Sequence, residues 1–196
     1  MKQLYAADGS NGTNAPFIHA MYNDDPPGPS PASQVYAHAK GVLAANQTNG
    51  FWVVHSVPNW PYSLQTGYQP YPTSAQGIYG QSFICLSMSA ATANTVGVSL
   101  LKMRPKYYSS SVPDALLSLF PDINAALISS GVIKTVPFAI STALRSAGIG
   151  SPSRLFTSFA KSALFGADVW NVKPLTCRLS VPSCMLQALR SLLFIF

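Results

Sequence analysis

The sequence predicts an α/β layered domain, on three observations. Short apolar runs separated by Pro, Gly and Asn fill the first half of the chain, as a set of strands would. Helix-like segments with Pro or Ser at their starts and Gly at their ends fall between and after them. Finally, 196 residues, 48% of them apolar, suffice for one good core or two small lobes. Strands interleaved with helices in one chain point to layered packing of the two.

Taken in order, Ala15 to Tyr22 (APFIHAMY) reads as a strand, and the Pro-rich stretch from Asn23 to Pro31 as a loop. Val35 to Ala45 reads as the next strand and Gly50 to Val57 (GFWVVHSV) as its partner. Asn46-Gln47-Thr48-Asn49 between them suits a hairpin turn. Pro58 to Pro72 is a long loop rich in Pro and Tyr; Ile84 to Met88 follows as a strand and Ala90 to Val98 as a helix. Pro113 to Phe120 reads as a short helix with Pro in its first turn, and Asp122 to Ser130 as a second, stopped by Gly131. Val132 to Thr142 reads as a strand disturbed by Pro137, and Pro152 to Phe165 as a helix capped by Ser151 and stopped by Gly166. No internal repeat of short fixed period is visible.

Only 9% of residues are charged, against about a quarter in an ordinary soluble domain. The six acids are all Asp, and twelve basic residues leave a formal charge of +6. That balance favours polyanions such as nucleic acid or an acidic membrane, although a basic surface also serves solubility. Lys102, Arg104 and Lys106 alternate and would share one face of a strand, with Tyr107 and Tyr108 next. Such a strip can grip a sugar–phosphate backbone, or protect an exposed sheet edge.

Cys85, Cys177 and Cys184 have no recognisable metal-site spacing, so neither metal nor cofactor is expected. Sequons at Asn11 and Asn46 matter only in the secretory pathway. The segment MKQLYAADGSNGTNAP lacks an apolar signal core. Met185 to Phe196 is apolar but interrupted by Arg190, and falls short of the about twenty residues a membrane span needs.

The chemistry-bearing feature is His38-Ala39-Lys40. In a strand, residues two apart point to one side, so His38 and Lys40 would face one site. An imidazole can attack phosphorus and hold the phosphoryl group covalently. A neighbouring ammonium neutralises charge building on the non-bridging oxygens. Such a site needs no metal, in keeping with the lack of an acidic cluster of the kind Mg²⁺ favours.

The context of this pair resembles the deoxyribonuclease II family. The stretches that carry the resemblance are YNDDPP from Tyr22, KGV from Lys40, GFWVVHSVPNWP from Gly50, YGQSFICLS from Tyr79, LFPDINAAL from Leu119 and FTSFAKSALFGADVW from Phe156. They cover roughly Phe17 to Trp170. The resemblance implies one lobe of a phospholipase-D-like α/β fold, a mixed β-sheet flanked by helices, over residues 1–170. Residues 171–196 then form a divergent tail, with the second lobe absent. It implies acid, metal-independent cleavage of DNA to 3′-phosphates in a lysosomal or secreted setting. His38 would be the catalytic histidine and Lys40 its phosphate-binding partner. Asp24 and Asp25 would position a loop or simply face solvent, and His55 would order a strand end.

That fold completes its site with a second His-x-Lys motif. His19 is followed by Ala20-Met21 and His55 by Ser56-Val57, so neither supplies it. Three readings stay open: an acid endonuclease, either as a homodimer completed by a second copy or as part of a longer gene product; a DNA-binding relative without catalysis; and a truncated fragment.

Overall fold

The computed structural model describes residues 4–5, 16–33, 35–71, 79–129, 136–147 and 152–165, together with the backbone of 192–194. Five strands form the main sheet: β1 (Ile18–Asn23), β2 (Lys40–Ala45), β3 (Asn49–His55), β4 (Phe83–Ser89) and β5 (Tyr107–Ser111). Their spatial order is β4-β3-β2-β1-β5, every pair antiparallel. The sheet is therefore not itself mixed. A smaller sheet, β6 (Ala139–Arg145), β7 (Leu155–Lys161) and β8 (Leu192–Phe194), mixes an antiparallel and a parallel pair.

The hairpin of β2 and β3 closes as the sequence predicts. Asn46 N–H donates to the Asn49 carbonyl at 2.9 Å, while Asn46 Oδ1 accepts from the N–H groups of Thr48 and Asn49. The sequon side chain at Asn46 is thus exposed and engaged in the turn. Asn11 lies outside the described residues.

Helix α1 (Ala90–Met103) starts where Ser89 Oγ accepts from Thr92 N–H. It lies between the two sheets. Val96, Leu100 and Met103 meet Tyr22, Leu43, Trp52 and Met88 of the main sheet, and Leu144 and Ala160 of the small one. Helix α2 (Pro121–Ile128) packs on α1 at Gly97, where an added Cβ would stand 2.4 Å from the Ile123 nitrogen. Phe120 gives α2 no side-chain cap, so Asn94 of α1 supplies one: its Oδ1 accepts from Asp122 N–H at 2.9 Å.

The other face of the main sheet carries Met21, Val42, Ala44 and Val53 and is covered by Leu4 and Leu64. Strands β1 and β2 are therefore buried on both faces, which fits their apolar stretches Ala20 to Tyr22 and Val42 to Ala45. Tyr22 lies directly over Gly41. A Cβ there would fall 2.3 Å from the Tyr22 hydroxyl and 2.6 Å from the Val53 carbonyl. Gly41→Ala is expected to lose about 1–3 kcal/mol of stability in denaturant unfolding. It would also displace Tyr22 Oη, which accepts from Trp52 Nε1 at 2.9 Å.

Several predicted elements are corrected. The strand expected from Val35 begins only at Lys40, because its partner β1 ends opposite, at Asn23, where Pro26 and Pro27 bar a further ladder. Pro113 to Phe120 forms a single 3₁₀ turn, Asp114–Leu116. Pro152 to Phe165 is not a helix but contains β7. Phe156, Ser158 and Ala160 alternate onto α1, with Ser158 Oγ 3.0 Å from Ser99 Oγ, while the backbone pairs with β6 along its length. The cap Ser151 and the stops Gly131 and Gly166 lie outside the described residues, as do Cys177, Cys184 and most of 171–196.

The basic triplet is not a strand face either. Lys102 is buried in the last turn of α1, Arg104 caps the helix in the left-handed region (φ 57°, ψ 65°), and Lys106 precedes β5. Among the described residues no helix is long and apolar enough to cross a membrane.

Candidate active site

At the end of β1 the chain turns sharply, and Asn23 holds the turn. Its buried side chain donates to the carbonyls of Val57 (3.1 Å) and Trp60 (3.0 Å), and its Oδ1 accepts from Asp25 N–H at 2.9 Å. Asn59, itself left-handed at φ 55°, donates from its side chain to Asp25 Oδ2 (3.0 Å) and from its backbone to the Asp25 carbonyl (2.8 Å). Asp24 between them is fixed by its neighbours, with its carbonyl accepting from Ser33 N–H at 2.8 Å.

Asp24 joins the two residues of the His-x-Lys pair. One carboxylate oxygen, Oδ2, stands 2.9 Å from His38 Nδ1, and the other, Oδ1, pairs with Lys40 Nζ. The predicted pair does converge, although not by strand alternation. His38 lies in the irregular stretch before β2, with an exposed side chain, whereas Lys40 is the buried first residue of β2. The register explains the meeting. Asn23 is paired with Lys40, so the residue after Asn23 arrives beside the residues before and at Lys40.

A carboxylate is only an acceptor, so His38 Nδ1 carries the hydrogen, and the lone pair of the neutral ring sits on Nε2. That atom belongs to the exposed side chain, where it can meet a reacting group. Asp24 and Lys40 are both largely buried, and the pair keeps the ammonium from standing uncompensated.

His55 lies in the next strand on the same face as Lys40. Its Nδ1 accepts from Val57 N–H at 3.2 Å, so the neutral ring carries hydrogen on Nε2, which has no hydrogen-bond partner among the described residues. The ring stacks on Phe83 (centroids 6.0 Å apart) and meets the edge of Trp60 at 5.4 Å. Burial, and then the Lys40 charge, lower its pKa from 6.5 to about 4. His19 is elsewhere, with Nε2 3.1 Å from Ser109 Oγ. Neither histidine stands in for a second His-x-Lys motif.

Asp24 is the site residue the sequence left ambiguous. Only the β1–β2 register turns it from a loop carboxylate into the partner of both His38 and Lys40. Cys85 is a free, exposed thiol on β4. Among the described residues no three His, Cys, Asp or Glu side chains gather so as to hold a metal ion.

Fold and cluster together define an α/β protein with a His–Asp–Lys constellation at the rim of an antiparallel sheet. A family model for deoxyribonuclease II matches residues 1–185. Over 173 residues the chain is 33% identical to human deoxyribonuclease-2-beta, covering 87% of this chain and 45% of that protein. It is 33% identical over 153 residues to mouse deoxyribonuclease-2-alpha (77% and 42%) and 33% over 155 residues to plancitoxin-1 of Acanthaster planci (79% and 41%). The chain belongs to the deoxyribonuclease II family, and spans less than half the length of these curated relatives.

Proposed function

We propose that this chain carries one half-site of a metal-independent acid deoxyribonuclease on a phospholipase-D-like lobe. The observation that carries the reading is Asp24 bound to both His38 Nδ1 and Lys40 Nζ. His38 Nε2 attacks the phosphorus of a DNA phosphodiester. A P–N bond forms as the bond to the 5′-oxygen breaks, leaving the strand attached through its 3′-phosphate. Lys40 neutralises the non-bridging oxygens as charge builds, and Asp24 holds the imidazole in the reactive tautomer and stabilises its positive charge. The departing 5′-oxygen takes a proton from a general acid, and water then cleaves the P–N bond to release a 3′-phosphate.

The general acid in this reading is the histidine of a second His-x-Lys motif, brought by a second copy of the chain in a C2 homodimer. The nearby carboxylates are committed, Asp24 to His38 and Lys40 and Asp25 to Asn59, which supports chemistry without a divalent ion. DNA as substrate fits the formal charge of +6. A lysosomal or secreted, acidic setting follows from the family resemblance. A second reading is a DNA-binding relative that does not cut, which the formal charge of +6 would also serve.

Plasmid nicking at acidic pH in EDTA tests the proposal. The wild-type chain should nick, and His38→Ala should lose at least about 10³-fold in rate. Equal nicking by the variant would remove His38 from the mechanism. A folded wild-type protein that retains plasmid without nicking it would favour the second reading.

A further inference from the structure

The basic residues around the end of α1 are not absorbed by the mechanism. Arg104 and Lys106 fall next to the segment that carries His38. Ala37 N–H donates to the Arg104 carbonyl at 3.3 Å, and Ala37 bridges Pro105 in parallel register. Lys106 Nζ donates to the Pro31 carbonyl at 2.5 Å. The Arg104 guanidinium lies over the ring of Tyr36, 5.1 Å from its centroid, two residues before His38.

Two features of Arg104 go beyond packing. First, it holds a left-handed backbone at the helix end, φ 57°, a place where glycine is the ordinary occupant. An arginine there keeps a strain that a glycine would relieve, and such strain clusters at functional positions. Second, no carboxylate among the described residues pairs with it; Asp24 is engaged by His38 and Lys40. A half-exposed guanidinium, oriented by an aromatic face and tied through the backbone to the His38 segment, is a preorganised phosphate fork.

We propose that Arg104 binds the DNA backbone at a phosphate flanking the one presented to His38, with Tyr36 holding its guanidinium in place. The inference rests on DNA being the ligand of the half-site. Lys106 tethers the loop that carries Tyr36 and His38.

The test is binding of a short duplex of random sequence at acidic pH in EDTA, by fluorescence anisotropy over a range of salt, with every chain compared in a His38→Ala background so that the duplex is not cut. Arg104→Gly, which keeps the left-handed backbone, should weaken binding roughly tenfold. It should also flatten the slope of log affinity against log salt by about 0.9, one phosphate contact. Its melting midpoint should equal or exceed that of the wild type, which a purely structural role for Arg104 does not allow. Arg104→Lys, keeping the charge, should retain the salt slope. Wild-type affinity and slope in Arg104→Gly would overturn the inference. No duplex binding by the chain that keeps Arg104 would overturn the DNA reading itself.

Discussion

Asp24→Asn is expected to slow DNA cleavage on the order of 10³-fold in a single-turnover assay with saturating protein. The carboxylate does two things that an amide cannot. It accepts from His38 Nδ1 while carrying the charge that stabilises the imidazolium, and it compensates the buried Lys40 ammonium. An asparagine can offer its oxygen to only one of them and brings no charge. Leaving Lys40 buried and unpaired should cost about 3–5 kcal/mol in denaturant unfolding. Adding Lys40→Met to Asp24→Asn removes the uncompensated charge and should restore most of that stability, while cleavage stays lost. Near-wild-type cleavage by Asp24→Asn would show that the carboxylate is only a tether for the loop.

The second large effect is on stability against pH, through His55. Its folded pKa of about 4 lies below the ordinary 6.5, because the charged ring would be buried beside Lys40 and against the uncharged rings of Phe83 and Trp60. Between those values the unfolded chain binds a proton that the folded chain does not. Stability is therefore fully present above pH 6.5 and is lost as the pH falls toward 4, by roughly 3 kcal/mol from this group. His55→Gln keeps an acceptor for Val57 N–H and cannot titrate. Its unfolding free energy should lose roughly 3 kcal/mol less than that of the wild type between pH 7 and pH 4. Parallel profiles for the two proteins would exclude His55 as the source. The acidic setting proposed for the enzyme thus has a lower limit built into the same sheet that carries Lys40.

The legible parts of the fold are those fixed locally. Strands β1, β3 and β4, the Asn46 turn and the start of α1 at Ala90 follow from apolar runs, Asx-turn chemistry and a serine cap. Strand β7 was hidden because Phe156, Ser158 and Ala160 face α1 through a serine, so its two-residue period has a polar member on the buried side. The basic triplet misled because alternation over five residues suits a strand, whereas α1 runs on to Met103 and Arg104 then reverses hand.

The site was half legible. His38 and Lys40 stand out by residue type, but the means of bringing them together does not. Alternation within one strand was the only local mechanism available, and the strand starts too late for it. Asp24 enters through the antiparallel register of β1 and β2, a long-range fact that no local pattern encodes. Arg104 is a similar case, reaching Tyr36 only because Ala37 bridges Pro105.

The most direct measurement is to mix the full chain with duplex DNA at acidic pH in EDTA, quench in alkali, where a phosphoramidate survives, and map phosphoryl groups by mass spectrometry after digesting protein and DNA. A phosphoryl group on His38 in the wild type, strongly reduced in Asp24→Asn, is the predicted result. DNA cleavage with no phosphoryl group on His38, or with one on another residue, would contradict attack by His38 and with it the role assigned to Asp24.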